Sequence, residues 1–455
     1  MRKSSTFFMI LLLISLLHSE KITLEQSIEL AKQNNKELLS EKNALQTAGW
    51  TQKNAFTNFL PKLSFNSTAI RIDNNTYQMA NQMIEMPVIF NGQQMMIEIP
   101  AAAMSGGIYK TNYMNNIIVQ QPVFNGGKTI IGYQLARLAK QQALNTLQNK
   151  ENDIVFQVAG TYFNILKLSD LKELAEKSLN SSKSHLQLIK KKYEVGIGQR
   201  SDILQWQVKV KNDETSLNEI TNNIKILKTV WKNLLGLEED ILMPEKIQTQ
   251  NYNAEIQEYS ALNSAEIQNK LNLYLNQVKS QNPNLKTLEL SRKMMKKNYL
   301  MAKGNFLPSL NLQFTYEIEN DDKFDLSGEE NWNLAAVLSM PLFSSGANYT
   351  NLKKTKYEML QTDLITASAK ENLLSGAEAT FYNLITKAQS CENNKSALEL
   401  AQENHKIINE LFEQGMVTNT ELIDAEILLF SSEMNLISSI YDFILSKYEM
   451  KKWTN

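Results

Sequence analysis

Two periodicities alternate along this chain, and each is used twice. From Pro308 the sequence reads PSLNLQFTYEIEN. Leu310, Leu312, Phe314, Tyr316 and Ile318 fall on one face; Asn311, Gln313, Thr315, Glu317 and Glu319 fall on the other. That strict period of two predicts a strand with one apolar face. A partner run, Trp332, Leu334, Ala336, Leu338 and Met340, ends at Pro341, and Asp321, Asp322, Ser327 and Gly328 supply the turn. About ten residues is the length of a tilted membrane strand, although a half-buried hairpin in a soluble sandwich has the same pattern. The second period is helical. Residues 129–195 hold no proline, and one heptad phase takes Leu147, Ile154, Val158, Ile165, Leu168, Ala175, Leu179, Leu186, Ile189 and Tyr193. This predicts a coiled-coil seam. Val155, Tyr162 and Leu166 begin a second stripe, hence a second neighbour. At 1.5 Å per residue such a helix is roughly 100 Å long.

The two halves repeat one another. Tyr193-Glu194-Val195-Gly196 corresponds to Phe412-Glu413-Gln414-Gly415, a shift of 415 − 196 = 219. The same shift carries Pro122-Val123-Phe124 onto Pro341-Leu342-Phe343 and Ser201-Asp202-Ile203 onto Thr420-Glu421-Leu422. Phe59-Leu60-Pro61 matches Phe306-Leu307-Pro308 at 308 − 61 = 247, so the first hairpin holds 247 − 219 = 28 extra residues. They fall between about residues 73 and 109 and are rich in methionine: Met79, Met83, Met86, Met95, Met96 and Met104. Thioethers can bind Cu(I), but with no His or Cys beside them adaptive apolar packing is the preferred reading, and no metal is assigned. The expected organisation is a signal peptide at 1–19, a first repeat at 20–235 with a hairpin at 61–122 and a helical turn near 196–201, and a connector at 236–263. A second repeat at 264–455 has its hairpin at 308–341 and its turn near 415–420. A single half-length helix is expected over 24–58 and another, returning, over 202–235.

Composition narrows the function. A net charge of −1 over 455 residues gives no basic excess, so nucleic acid is not an expected partner. The start, Met1-Arg2-Lys3, an apolar run over 7–17 and then Ser19, reads as an export signal. Cys391 is the only cysteine, which excludes an intrachain disulfide and a lipoprotein-type anchor after the signal. No later run suggests a membrane helix of roughly 20 apolar residues, so membrane insertion is expected through strands. His185 and His405 lie far apart on long helices, and no nucleophile elbow, phosphate loop or dinucleotide motif occurs. No enzyme activity and no cofactor are expected.

Two hairpins make four strands, too few to close a barrel, and open edges in lipid leave backbone groups unpaired at several kcal/mol each. Closed membrane barrels begin at about eight strands, so the chain is expected to associate about a rotation axis. Here the sequence resembles the TolC-like outer-membrane efflux and secretion channels. The carriers are the two F-L-P-x-L strand starts, the two P-[VL]-F-x-x-G strand exits, and the two glycine turns followed by Asp202 or Glu421. The resemblance implies a mainly α fold with membrane β: an internally duplicated homotrimer whose 12-stranded β-barrel, in outer-membrane lipid, continues into a long periplasmic α-helical barrel. Its implied partners are a periplasmic adaptor and an inner-membrane pump of RND or ABC type, with the channel a passive duct.

At the helical turns the resemblance implies an acidic ring at the pore entrance, assigned to Glu421, Asp424 and Asp202. Val195, Gly196, Ile197 and Gly198, with Gln414, Gly415, Met416 and Val417, are expected to dock the adaptor. Thr420 is the expected helix cap, with Ser201 and Asp202 capping the first returning helix. Phe412 and Val417 depart from the family's tyrosine and arginine latch, so Tyr193 and Arg200 become candidate latch residues, pairing with Glu421 or Asp424. The competing reading is a periplasmic or surface coiled-coil stalk or adhesin without a pore, which accounts for the heptads but not for the duplicated strands.

Overall fold

The computed structural model describes residues 20–101, 103, 109–238, 242–321 and 323–454. The expected signal peptide, Met104 and Asp322 lie outside the described residues. In chain order the elements are β1 (Glu20–Ile22), α1 (Leu24–Asn34), α2 (Lys36–Thr57), β2 (Lys62–Arg71), α3 (Asn74–Ala80), β3 (Met83–Phe90), β4 (Gln93–Pro100), β5 (Thr111–Asn125), α4 (Lys128–Glu194) and α5 (Arg200–Leu235). Then follow β6 (Leu242–Pro244), α6 (Asn253–Ser260), α7 (Ser264–Gln281), α8 (Pro283–Lys303), β7 (Ser309–Asn320), β8 (Glu329–Ser339), α9 (Ala347–Glu413) and α10 (Asn419–Thr454). Duplication shows in the lengths: α4 and α9 have 67 residues each, α5 and α10 have 36 each. The chain divides into two compact units, and each draws segments from both repeats.

The first unit contains the described residues up to Thr47, Gln141–Leu290, and from Leu364 onward. Its largest core cluster joins Ile154, Val158, Tyr162, Phe163 and Ile165 of α4 to Trp231 and Leu235 of α5 and to Tyr441 and Ile444 of α10. The α4 seam follows the expected heptad, with Ile154, Val158, Ile165, Ala175, Leu179 and Ile189 buried; at one position Leu171 is buried in place of its neighbour Lys172. Residues after α5 are held against this core. β1 pairs in parallel with β6, the Tyr162 hydroxyl donates to the Glu245 carbonyl at 2.9 Å, and Lys246 bridges Asp170 and Glu173 at 3.1 and 3.2 Å. Burial pushes the Tyr162 hydroxyl up to about 12.

The helix expected over 24–58 is two helices, broken at Asn35 (φ −63°, ψ 121°). The Asn35 side chain accepts from the Glu37 and Leu38 amides at 3.0 and 3.1 Å and donates to the Leu234 carbonyl at 3.1 Å. Asn282 breaks α7 from α8 in the same way (φ −57°, ψ 121°). It accepts from the Asn284 and Leu285 amides at 2.9 and 3.2 Å and donates to the Trp453 carbonyl at 3.0 Å. The differences are 282 − 35 = 247 and 453 − 234 = 219, the two shifts that relate the repeats. One asparagine thus ends a helix, caps the next and ties both to the end of a returning helix. A second departure is α10, which is long and apolar enough by length and composition to cross a membrane. Its Leu422, Ala425, Tyr441, Phe443 and Ile444 are instead buried among the other helices of this unit.

The second unit, Ala48–Lys140 and Ser291–Asp363, holds an antiparallel sheet of order β2-β5-β7-β8. Hairpin registers run from Lys62↔Gln120 to Arg71↔Thr111 and from Ser309↔Ser339 to Glu319↔Glu329. β5 and β7 join the two hairpins, with a bulge between Pro122 and Phe124. β2 and β8 are the edges, each without a second strand partner on its outer side among the described residues. Large apolar residues stand in the open: Leu63 is 73% exposed, Phe65 61%, Trp332 70% and Leu334 67%. The extra residues of the first hairpin form α3, capped by Asp73, and the hairpin β3–β4, turned at Asn91 (φ 48°) and Gly92 (φ 76°). Its register puts Met86 and Met95 on one face with Ile84, Val88 and Ile97, while Met83 and Met96 share the other with Glu85 and Glu98. After β5, Gly126 (φ 68°) lies so close to the end of α8 that a Cβ there would meet the Gly304 carbonyl oxygen at 2.2 Å. Only glycine fits.

Candidate functional site

The two turns between long helices are built alike. After α4 the Ile197 amide bonds to the Lys192 carbonyl at 3.0 Å; after α9 the Met416 amide bonds to the Leu411 carbonyl at 2.9 Å. Gly196 (φ 81°) and Gly415 (φ 73°) occupy the left-handed position between. This is the Schellman ending, in which a bond spanning six residues satisfies a carbonyl that the helix leaves open. Val195, Ile197 and Met416 are 70 to 75% exposed, with no apolar cover among the described residues. Gln414 and Gly415 are exposed beside them, and a Cβ at Gly198 would meet the Tyr193 backbone nitrogen at 2.9 Å. Val417 turns inward.

Behind the turns lies a small core with one residue from each long or returning helix: Ile189 of α4, Trp206 of α5, Phe412 of α9 and Leu422 of α10. Phe412, a candidate latch residue, is therefore a buried packing residue, with the Lys192 ammonium 4.6 Å from its ring centroid. The indole of Trp206 donates to Asn419 Oδ1 at 2.6 Å, and Asn419 Nδ2 donates to Gln205 Oε1 at 2.9 Å. The imidazole of His185 stacks on Trp206 with centroids 4.8 Å apart, and its Nε2 meets Glu426 Oε1 at 3.0 Å. A turn further along, Lys209 and Asp213 form a buried pair at 2.6 Å, and the Ser182 hydroxyl donates to the same carboxylate at 2.5 Å. These groups fasten the first helical hairpin internally and to the second. Sequence reading passed over them because each partner lies 21 or more residues away, apart from the i,i+4 pair Lys209 and Asp213. The one local signal was a tryptophan flanked by glutamines, Gln205-Trp206-Gln207.

The acidic candidates lie at the start of the returning helices. Glu421 and Asp424 are exposed and Asp202 is partly so. Glu421 is held locally: its Oε2 accepts from the Thr418 amide at 2.6 Å and from the Thr418 hydroxyl at 2.8 Å, and its own amide donates to Thr418 Oγ1 at 3.3 Å. The cap of α10 is thus Thr418 rather than Thr420, because only Thr418 stands three residues before a glutamate. Those bonds, the backbone one first, hold the Glu421 carboxylate below the usual value of 4.5. Neither Ser201 nor Asp202 caps α5. Gln199 stands at that position without a side-chain capping bond, and the Ser201 hydroxyl turns to Gln199 Oε1 at 3.2 Å. Arg200 and Tyr193 are exposed, and Arg200 forms no ion pair within the described residues. Among those residues no cluster of His, Cys, Asp and Glu could hold a metal ion.

Comparison with known proteins agrees with this architecture. The family model for outer membrane efflux protein matches residues 27–236 and 274–443, one segment in each repeat. Outer membrane protein TolC of Vibrio cholerae is 24% identical over 344 residues, 70% of each chain. TolC of Escherichia coli K12 is 18% identical over 323 residues, 67% of this chain and 62% of that one. In structure the chain is similar to the CusC channel, with a TM-score of 0.78 at 15% identity over 97% of this chain and 95% of CusC. It is also similar to the CmeC outer membrane channel of Campylobacter jejuni, at 0.74 and 15% over 95% and 85%. With two matched segments that together span well over half its length, the chain belongs to the outer membrane efflux protein family.

Proposed function

We propose that the protein is one subunit of a homotrimeric exit duct in the outer membrane. Its sheets combine into a closed barrel of twelve strands, and its helices form a periplasmic tunnel. The observation that carries this reading is the open sheet: four strands, two unpaired edges and large apolar side chains facing outward. In lipid such edges must be paired, and pairing β8 of one copy with β2 of the next satisfies both. Three copies reach a strand number at which membrane barrels close. The repeat boundaries at 20–235, 236–263 and 264–455 serve this plan by giving each copy two equivalent hairpins. The duct does no chemistry. A periplasmic adaptor seats on the exposed Val195, Ile197 and Met416 and their neighbours Gly196, Gly198, Gln414, Gly415 and Val417, and an inner-membrane pump of RND or ABC type supplies the energy. The named relatives support this reading: they include an outer membrane efflux protein of Brucella suis and a solvent efflux pump outer membrane protein of Pseudomonas putida.

Around the axis, copies of Glu421 and Asp424, with Asp202 beside them, set a negative field in the entrance and favour cations. Arg200 and Tyr193 act between copies as the latch. Purified protein in planar bilayers is expected to give discrete, cation-preferring conductance, with Glu421→Ala/Asp424→Ala weakening block by divalent cations several-fold. A water-soluble monomer without conductance would overturn the duct.

A further inference from the structure

In the first unit a cavity of about 230 Å³ opens between the start of α1, the middle of α4, the end of α10 and the residues after β6. Four aromatic rings line it: Tyr162 and Phe163, both buried, and Tyr252 and Tyr448, half-buried. The rings adjoin, with centroids 5.5 Å apart for Tyr162 and Phe163 and 5.4 Å apart for Phe163 and Tyr448. Two exposed acids, Glu25 and Glu245, also line it, so the buried rings form its depth and the carboxylates its rim. Neither carboxylate has an ion pair or a hydrogen bond within the described residues. The lysines nearby do not fill the cavity. Lys246 gives its stem to the wall, while its ammonium reaches Asp170 and Glu173 at 3.1 and 3.2 Å, and neither of those acids lines this cavity. Lys447, held by Glu255, and Lys451 stand 5.4 and 5.0 Å from the ring centroids of Tyr252 and Tyr448 but contribute nothing to the wall. Burial first, then Tyr252 and Glu25, pushes the Tyr448 hydroxyl up to about 12, so that phenol stays neutral.

An aromatic face attracts a cation through its quadrupole, and alkylated ammonium ions, whose charge is spread over apolar groups, suit such a cage. Free carboxylates at the rim supply the opposite charge. The cavity is smaller than the roughly 300–1,000 Å³ of drug-sized pockets, so its occupant is small. The duplication separates packing from binding. Tyr162 and Phe163 correspond to Phe381 (162 + 219) and Tyr382 (163 + 219), so both repeats keep an aromatic pair. Glu25 corresponds to Asn272 (25 + 247) and Tyr448 to Thr229 (448 − 219), while Glu245 and Tyr252 belong to the connector, which has no second copy. Glu25 also stands in the first turn of α1, where the helix dipole favours an acid. That accounts for Glu25 and leaves Glu245 and the half-buried rings unaccounted for.

We propose that this cavity binds a small alkylated ammonium ion, its charge set against the rings of Tyr252 and Tyr448 and balanced by Glu25 and Glu245. The site lies within the helical unit and holds whether or not the sheets close into a duct. The test is isothermal titration calorimetry of the full-length protein in detergent, with choline chloride as the probe. Saturable binding of one choline per chain is expected, and its absence would overturn the proposal. Glu25→Asn/Glu245→Gln is expected to weaken binding about 10-fold, and Tyr448→Leu about 5- to 10-fold. Tyr448→Phe, which keeps the ring, is expected to bind as the wild type does. The uncharged alcohol in which carbon replaces the choline nitrogen is expected to bind at least about 10-fold more weakly than choline. Equal binding of the two would show a plain apolar hollow and overturn the proposal. Both glutamates are exposed, so their variant keeps the fold even if Tyr448→Leu does not, and choline affinity unchanged in it would likewise overturn the proposal.

Discussion

Asn419 is the residue on which the two helical turns meet, because its side chain both accepts from Trp206 and donates to Gln205. Trp206→Phe keeps an aromatic ring but shrinks it and removes the donor, and the buried acceptor left unmet alone costs about 1–3 kcal/mol. Amides over residues 195–203 and 416–422 are therefore expected to exchange hydrogen about 5- to 150-fold faster. Unchanged exchange would mean the bond does not hold the turns. Glu421 gives a pH dependence with a definite sign. Its folded pKa lies below 4.5 through its bonds to Thr418, so its contribution to stability is full above that value and fades as pH falls through the depressed one. Glu421→Gln is expected to lose less thermal stability than wild type between pH 7 and pH 3, as followed by helical circular dichroism. The cap expected at Thr420 stands two residues earlier, at Thr418, because Thr418 is three residues before Glu421 and the two side chains exchange bonds.

At the scale of elements, long helices and strands were readable because each repeats its pattern many times. The run expected over 129–195 is α4, Lys128–Glu194, and the strand expected from Pro308 is β7, Ser309–Asn320. The breaks at Asn35 and Asn282 were not readable, because an asparagine can end one helix and cap the next while the apolar spacing runs on across it. Pro283, the first residue of α8, was the one local sign. Asn35→Ala removes two capping bonds and the bond to the Leu234 carbonyl, at a cost of about 2–3 kcal/mol. Asn282→Ala, which loses the equivalent three bonds, is expected to cost the same to within about 1 kcal/mol. Denaturant unfolding of the two variants measures both, and a large inequality would show that the repeats no longer share this joint.

For the molecule as a whole, the number of copies was never legible in one chain, since edge strands state that pairing is needed but not how many partners meet. Legible instead was the duplication, through two shifts whose difference locates the inserted α3 and β3–β4 hairpin in the first repeat alone. That asymmetry has a consequence for variation. In the proposed circle of identical copies, hairpins with and without the insertion would alternate, so a mutation in either half would be copied at every other place around the rim. Loop length, headgroup contact and charge can then drift on one set of positions while the other set holds the circle shut. A channel made from a single-hairpin subunit would have to change its whole circumference at once.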